Sequence, residues 1–140
     1  MRISARCDYA CKALLELALH WPSKEPLHIQ VISKKQEIPM RYLVQILIQL
    51  KRMGLVDSVR GKEGGYTLTE LPNKISFGKV MRQIQGPLLP VAECSKKNGS
   101  VFTAIWQEVE ASMAKVLDKV TFEDVCNKVR GMSKTIIYQI

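Results

Sequence analysis

Residues 39–69 read PMRYLVQILIQLKRMGLVDSVRGKEGGYTLT, and the period of their apolar positions changes once, at Gly54. Before that glycine, Leu43, Ile46, Leu50 and Met53 keep a 3-4-3 spacing that sets them on one face of a helix. Pro39 opens this helix, where a missing N–H costs nothing, and Gly54 closes it as a left-handed cap. After the glycine, Leu55 to Arg60 reads as a strand and Tyr66 to Thr69 as its hairpin partner. Between them, Gly61-Lys62-Glu63-Gly64-Gly65 is expected to supply positive φ and a mobile tip.

Working outward, Tyr9, Ala10, Ala13, Leu14, Leu17, Ala18 and Trp21 form a helical stripe that Pro22 ends. A short helix is expected over Ile29 to Lys35, with Ile29 and Ile32 inward, and Gln36-Glu37-Ile38 as a tight link to the next. Helices followed by a basic, glycine-tipped hairpin are the order of a winged helix-turn-helix. Downstream, Ser76 reads as the N-cap of a helix carrying Phe77, Val80, Met81 and Ile84. A proline-bounded loop then runs to Gly99. Phe102, Ile105, Val109, Ser112, Val116 and Lys119 follow at near-heptad spacing on a long helix whose apolar face is broader than one small domain needs. Thr121 to Asp124 resembles a capping box for a last helix that Gly131 is expected to end. The expected fold is therefore mainly α with a small β-hairpin. Its parts are a winged helix-turn-helix domain over 1–86, a sensor-position loop over 87–100 and dimerisation helices over 101–140.

Composition narrows the class of partner. In 140 residues, 46% are hydrophobic, enough for a core, and 21 Lys and Arg against 13 Asp and Glu leave a net charge of +8. Such an excess favours polyanions through phosphate neutralisation and counterion release. No apolar run approaches the roughly 20 residues that span a bilayer, and the start lacks a signal-peptide pattern. A cytoplasmic, non-membrane protein is expected, its four cysteines (Cys7, Cys11, Cys94, Cys126) reduced and not spaced as a disulfide scaffold.

Two surfaces carry candidate chemistry. Taking the buried stripe away from residues 39–53 leaves Met40, Arg41, Val44, Gln45, Ile48, Gln49 and Arg52 outward. Arginine and glutamine make bidentate contacts to guanine and adenine edges in a major groove, and an apolar side chain can lie on a thymine methyl. Met40, Arg41, Val44, Gln45 and Gln49 are the expected base readers, while Ile48 reads equally well as a packing residue. The hairpin residues Arg60, Gly61, Lys62, Gly64 and Gly65 form a wing able to lay arginine into a narrow, A·T-rich minor groove. Lys34, Lys35, Tyr42, Lys51 and Arg52 are expected at phosphates, which add affinity without sequence information. Ile105, Val109, Met113 and Val116 are expected at a homodimer interface, the symmetry that a palindromic double-stranded DNA site mirrors.

Asp8-Tyr9-Ala10, Ile38 to Leu47, Gly54-Leu55-Val56, Ser58-Val59-Arg60-Gly61, Gly64-Gly65-Tyr66-Thr67-Leu68 and Gln85-Gly86-Pro87-Leu88 together resemble the family of IscR, NsrR and CymR. The resemblance covers residues 1–94 in detail and the long helix in pattern. It implies a dimeric regulator, usually a repressor, of iron–sulfur assembly, cysteine metabolism or redox responses, reading a palindrome with two helices and two wings. Two departures stand out. Relatives often carry glutamate, accepting from cytosine, where this chain has Val44. Iron–sulfur members also place three cysteines before the dimer helix, of which this chain keeps Cys94, with Ser100 and Trp106 at the later spacings. A cluster takes about four protein ligands, mostly thiolates, so no cofactor is expected. The alternative is an iron–sulfur cluster with unusual ligands involving Cys94, and Cys94 near Lys96 and Lys97 also reads as a redox thiol or an idle one. Cys7 and Cys11, one turn apart, read as core or interface thiols and Cys126 as buried structure.

No phosphate-binding glycine loop, nucleophile–base pair or metal-ligand spacing supports an enzyme. The competing reading is a cluster-free winged-helix dimer that acts mainly through a partner enzyme or small-molecule effector, as the resemblance to CymR implies.

Overall fold

The computed structural model describes residues 2–89 and 101–139, with side chains at 2–89 and 101–132. Cys94 and most of the expected sensor loop lie outside the described residues. Those described form α1 (Ala5–His20), α2 (Ile29–Gln36), α3 (Met40–Arg52), β1 (Val56–Val59), β2 (Gly65–Leu68), a 3-10 turn (Pro72–Lys74), α4 (Phe77–Gln85), α5 (Val101–Asp118) and α6 (Phe122–Gln139). The class is the one expected: mainly helical, with one small hairpin.

Local chemistry sets the boundaries. The Ser4 hydroxyl caps α1 by accepting from the Cys7 N–H at 3.1 Å. The link after α2 turns on Glu37 at φ 53°, and Ser33 holds it by donating to the Ile38 carbonyl at 2.6 Å. Pro39 is the N-cap, one residue outside α3, and Gly54 at φ 80° follows the helix as expected. Leu43, Ile46 and Leu50 are buried, joined by Leu47, which the 3-4-3 stripe omitted, while Met53 is half-buried. Each such fully buried aliphatic side chain contributes about 1.5–3 kcal/mol.

β1 and β2 pair antiparallel, Val56 opposite Leu68 and Val59 opposite Gly65. A third arm joins through Leu27 and Tyr66, which exchange N–H···O bonds of 2.9 Å in both directions. Contrary to the expectation from the sequence, the three tip glycines do not all serve positive φ. Among the three tip glycines only Gly61 has positive φ, at 115°. Gly64 and Gly65 are constrained by close approach: a Cβ would strike the Val59 carbonyl oxygen at the first and the Leu27 carbonyl oxygen at the second.

Thr121 and Asp124 form the expected capping box, the Thr121 N–H donating to Asp124 at 2.9 Å and the Asp124 N–H to Thr121 Oγ1 at 3.1 Å. Gly131 does not end that helix, which continues to Gln139. A glycine costs a helix interior about 1 kcal/mol but stops it only when it takes the left-handed cap conformation, and Gly131 has no positive φ.

The main core draws on α1, α2, α3, the hairpin and α6, with Leu14, Ile32, Leu43, Leu47, Val56, Phe122 and Cys126 all buried. The boundary expected at residue 100 is thus crossed by the core, since Phe122 and Cys126 pack with the helix-turn-helix. A second cluster, Cys7, Met81 and Leu88 with half-buried Met113 and Leu117, joins α1 and α4 to α5. The same joint carries a two-pronged ion pair, Arg82 to Asp118, with both N···O distances at 2.8 Å.

Candidate nucleic-acid interface

Burial of one stripe of α3 against α1 forces the opposite stripe into solvent. Met40, Arg41, Val44 and Gln45 are all exposed, in a helix without an acidic residue. Val44 and Ile48 are each 37% exposed, so neither is absorbed by packing within the chain. Arg41 lies over the Tyr42 ring, 4.9 Å from its centroid, and donates to the Tyr42 hydroxyl at 3.3 Å. Tyr42 is itself supported by Tyr9 of α1, with ring centroids 6.3 Å apart. These contacts restrict Arg41 to one end of α3, beside Met40.

Gln49 is placed differently from the rest of its row. It is half-buried, and its side-chain carbonyl accepts from Arg6 Nε at 2.8 Å. Nothing in the apolar stripe of α1 singles out Arg6, since that stripe marks a packing helix. Only the crossing of α1 over α3 brings its first turn to this surface, where Arg6, Tyr9, Tyr42 and Gln45 share one groove.

The hairpin presents the second surface. Arg60, Gly61 and Lys62 are exposed at its tip, whereas Gly64 is buried and Gly65 half-buried beneath them. The tip is stitched by the Gly64 N–H to the Gly61 carbonyl at 3.0 Å. Lys51 ties the two surfaces together by donating to Ser58 Oγ at 2.6 Å, which leaves Arg52, Lys34 and Lys35 as open cations around α2 and α3. His28 and Gln30, at the start of α2, line a shallow cleft with Arg60 and Lys62 that no periodicity revealed.

The long helix α5 presents a third surface. α5 has no fully buried residue, and Val101, Phe102, Ile105, Trp106, Val109 and Val116 are exposed, Phe102 by 72%. Met113 sits half-buried against Cys7, Met81 and Leu88, off that open row.

The described thiols do not fit an iron–sulfur cluster. Burial pushes the thiol pKa of Cys7, Cys11 and Cys126 up, Cys11 to about 12. Cys126 lies in the main core, away from the Cys7 cluster. Among the described residues no three His, Cys, Asp or Glu side chains gather as a metal site. Trp106, at one of the spacings where a cluster cysteine is expected from the resemblance, is an exposed aromatic ring. Among the described residues, no helix is long and apolar enough to cross a membrane.

A family model described as Rrf2, an iron-dependent transcriptional regulator, matches residues 3–128. The HTH-type transcriptional regulator CymR of Bacillus subtilis is 29% identical over 140 residues, with 100% of each chain covered. The solved structure of B. subtilis CymR, titled the global cysteine regulator, is similar with a TM-score of 0.81 at 30% identity, over 91% of this chain and 98% of that one. The structure of T. potens IscR is similar with a TM-score of 0.78 at 32% identity, over 92% and 88%.

Proposed function

The chain belongs to the Rrf2 family of DNA-binding transcriptional regulators, and from that premise we propose that it works as a homodimer reading a palindromic operator. In this reading α3 enters two successive major grooves and the Arg60 wing the flanking minor grooves. The observation that carries it is the row Met40, Arg41, Val44 and Gln45, exposed on an acid-free helix and flanked by the basic hairpin tip. The open apolar row of α5 supplies the dimer contact. The protein is a non-enzymatic repressor in this reading, of genes for cysteine or redox metabolism.

The test is a titration of a duplex selected from random DNA, followed by fluorescence anisotropy in rising salt. Log affinity is expected to fall linearly with log salt, while preference for a palindrome over a scrambled duplex persists. Equal affinity for both duplexes would sink the proposal.

The signal is read as a thiol, metabolite or partner enzyme acting without an iron–sulfur cluster. The ligand-poor arrangement of Cys7, Cys11 and Cys126 supports that reading, as does the likeness to CymR along the whole chain. Iron content and visible absorption of protein purified without oxygen test it. One cluster per subunit would overturn it.

A further inference from the structure

The second core cluster is rich in sulfur. Cys7 and Cys11 lie one turn apart on α1, and Cys11 packs against the buried cluster that contains Cys7. Met81 of α4 is buried in the same cluster, and Met113 of α5 packs against it. Four sulfur-bearing side chains from α1, α4 and α5 thus belong to one packing cluster. Leu88, Leu117 and Phe77 wall the cluster. Asp8, the nearest carboxylate on α1, is paired to Lys12 at 2.8 Å.

This donor set is selective by its chemistry. Hard cations want oxygen ligands, and zinc wants about four nitrogen, thiolate or carboxylate donors; neither arrangement exists at this cluster. Thiolate with thioether suits a soft d10 cation, and low coordination numbers are sufficient for a monovalent one. Cys7 is 1% exposed whereas Cys11 is half-buried, so Cys11 supplies the way in from solvent and the apolar wall excludes competing water ligands.

We propose that Cys7 and Cys11, backed by Met81 and Met113, form a binding site for copper(I). Binding forms two Cu–S bonds and breaks two S–H bonds. Both protons leave to solvent, no electron is transferred, and the centre carries one net negative charge. Burial holds both thiols protonated in the empty site, so copper must displace these protons and the apparent affinity rises with pH. The thioethers are neutral, so they add donors without adding charge to a buried site. An occupied site links α1 to α4 and α5, and it stabilises the folded chain by mass action because the unfolded chain lacks the assembled donors.

The experiment uses reduced, full-length protein handled without oxygen, titrated with Cu(I) against a chromogenic Cu(I) chelator, with Ag(I) as a redox-inert parallel. One ion per chain is expected. Cys7→Ser and Cys11→Ala are expected to weaken binding by about a hundredfold and Met81→Leu by roughly tenfold, the range in which lost metal partners fall. Cys126→Ser should leave affinity unchanged. Cys11→Ala keeps the test interpretable if Cys7→Ser folds poorly, because position 11 is only half-buried and alanine favours a helix. Cu(I) should raise the melting temperature of the wild type but not of Cys11→Ala. X-ray absorption of the loaded wild type should show sulfur scatterers alone. Nitrogen or oxygen in the first shell overturns the proposal, as does binding that survives Cys11→Ala and disappears in Cys94→Ser. The assay contains no DNA, so its failure leaves the operator reading untouched.

Discussion

Val44 is 37% exposed, one turn into α3, with Gln45 beside it and no carboxylate anywhere on the helix. An apolar side chain there can lie against a thymine methyl, but it cannot accept a hydrogen bond from cytosine N4. Val44→Glu is therefore expected to move operator preference toward cytosine at the contacted step, as read by repeating the selection from random DNA. An unchanged consensus would remove Val44 from the base-reading row. Arg60 makes the complementary case on the hairpin, since its exposed position at the tip suits a minor groove and carries no packing duty. Arg60→Ala should weaken operator binding by about 1–3 kcal/mol while leaving the melting temperature where it was. Loss of both together would mean that Arg60 supports the fold instead.

Helix termini and faces decide the next level. The start of α6 rests on the reciprocal bonds of Thr121 and Asp124. The Thr121 N–H, and then its hydroxyl, hold the Asp124 carboxyl below its ordinary value. Because the folded-state value is the depressed one, the stabilisation is complete above the unfolded carboxylate range and is lost as pH falls through the folded value. Asp124→Asn should thus be less stable than wild type at neutral pH, with the gap closing in acid, in melting curves taken across that range. A constant gap would assign the loss to packing. α5 offers the other element-level test, since Val109 is 39% exposed within its open apolar row. If the proposed dimer forms through this row, Val109→Asp should give a monomer by sedimentation, since it sets an unpaired charge in the proposed interface. A dimer of undiminished affinity would place the interface on another face.

At the scale of the molecule, the chain's late residues complete its early core. Phe122 is 1% exposed and stacks edge-on against Phe77 with centroids 6.2 Å apart. The strand-like bridge between Ser76 and Thr121 holds that junction, through Phe77 N–H to the Val120 carbonyl at 2.8 Å and Phe122 N–H to the Ile75 carbonyl at 3.0 Å. Phe122→Ala should cost about 3–5 kcal/mol of stability in denaturant unfolding, with one cooperative transition for the whole chain. Two separate transitions would restore an independent C-terminal unit. The close seating of Gly78 against Asp118 and Leu117 belongs to the same joint, where any Cβ would meet the backbone of α5.

The sequence alone determined the order of elements, because period and punctuation are local: a 3-4-3 stripe, a glycine at φ 80°, a hairpin with three glycines and a capping box each act within a few residues. It also determined which face of α3 is open, since Leu43, Ile46 and Leu50 leave the opposite face to solvent. Tertiary structure decided what depends on elements crossing. It brought Arg6 to Gln49, set Gly64 and Gly65 against passing backbone, carried α6 through Gly131 and turned Met113 toward Cys7 and Met81. No spacing along a chain encodes these placements. They follow from the angle at which one helix packs on another, and that angle is set by the whole core at once.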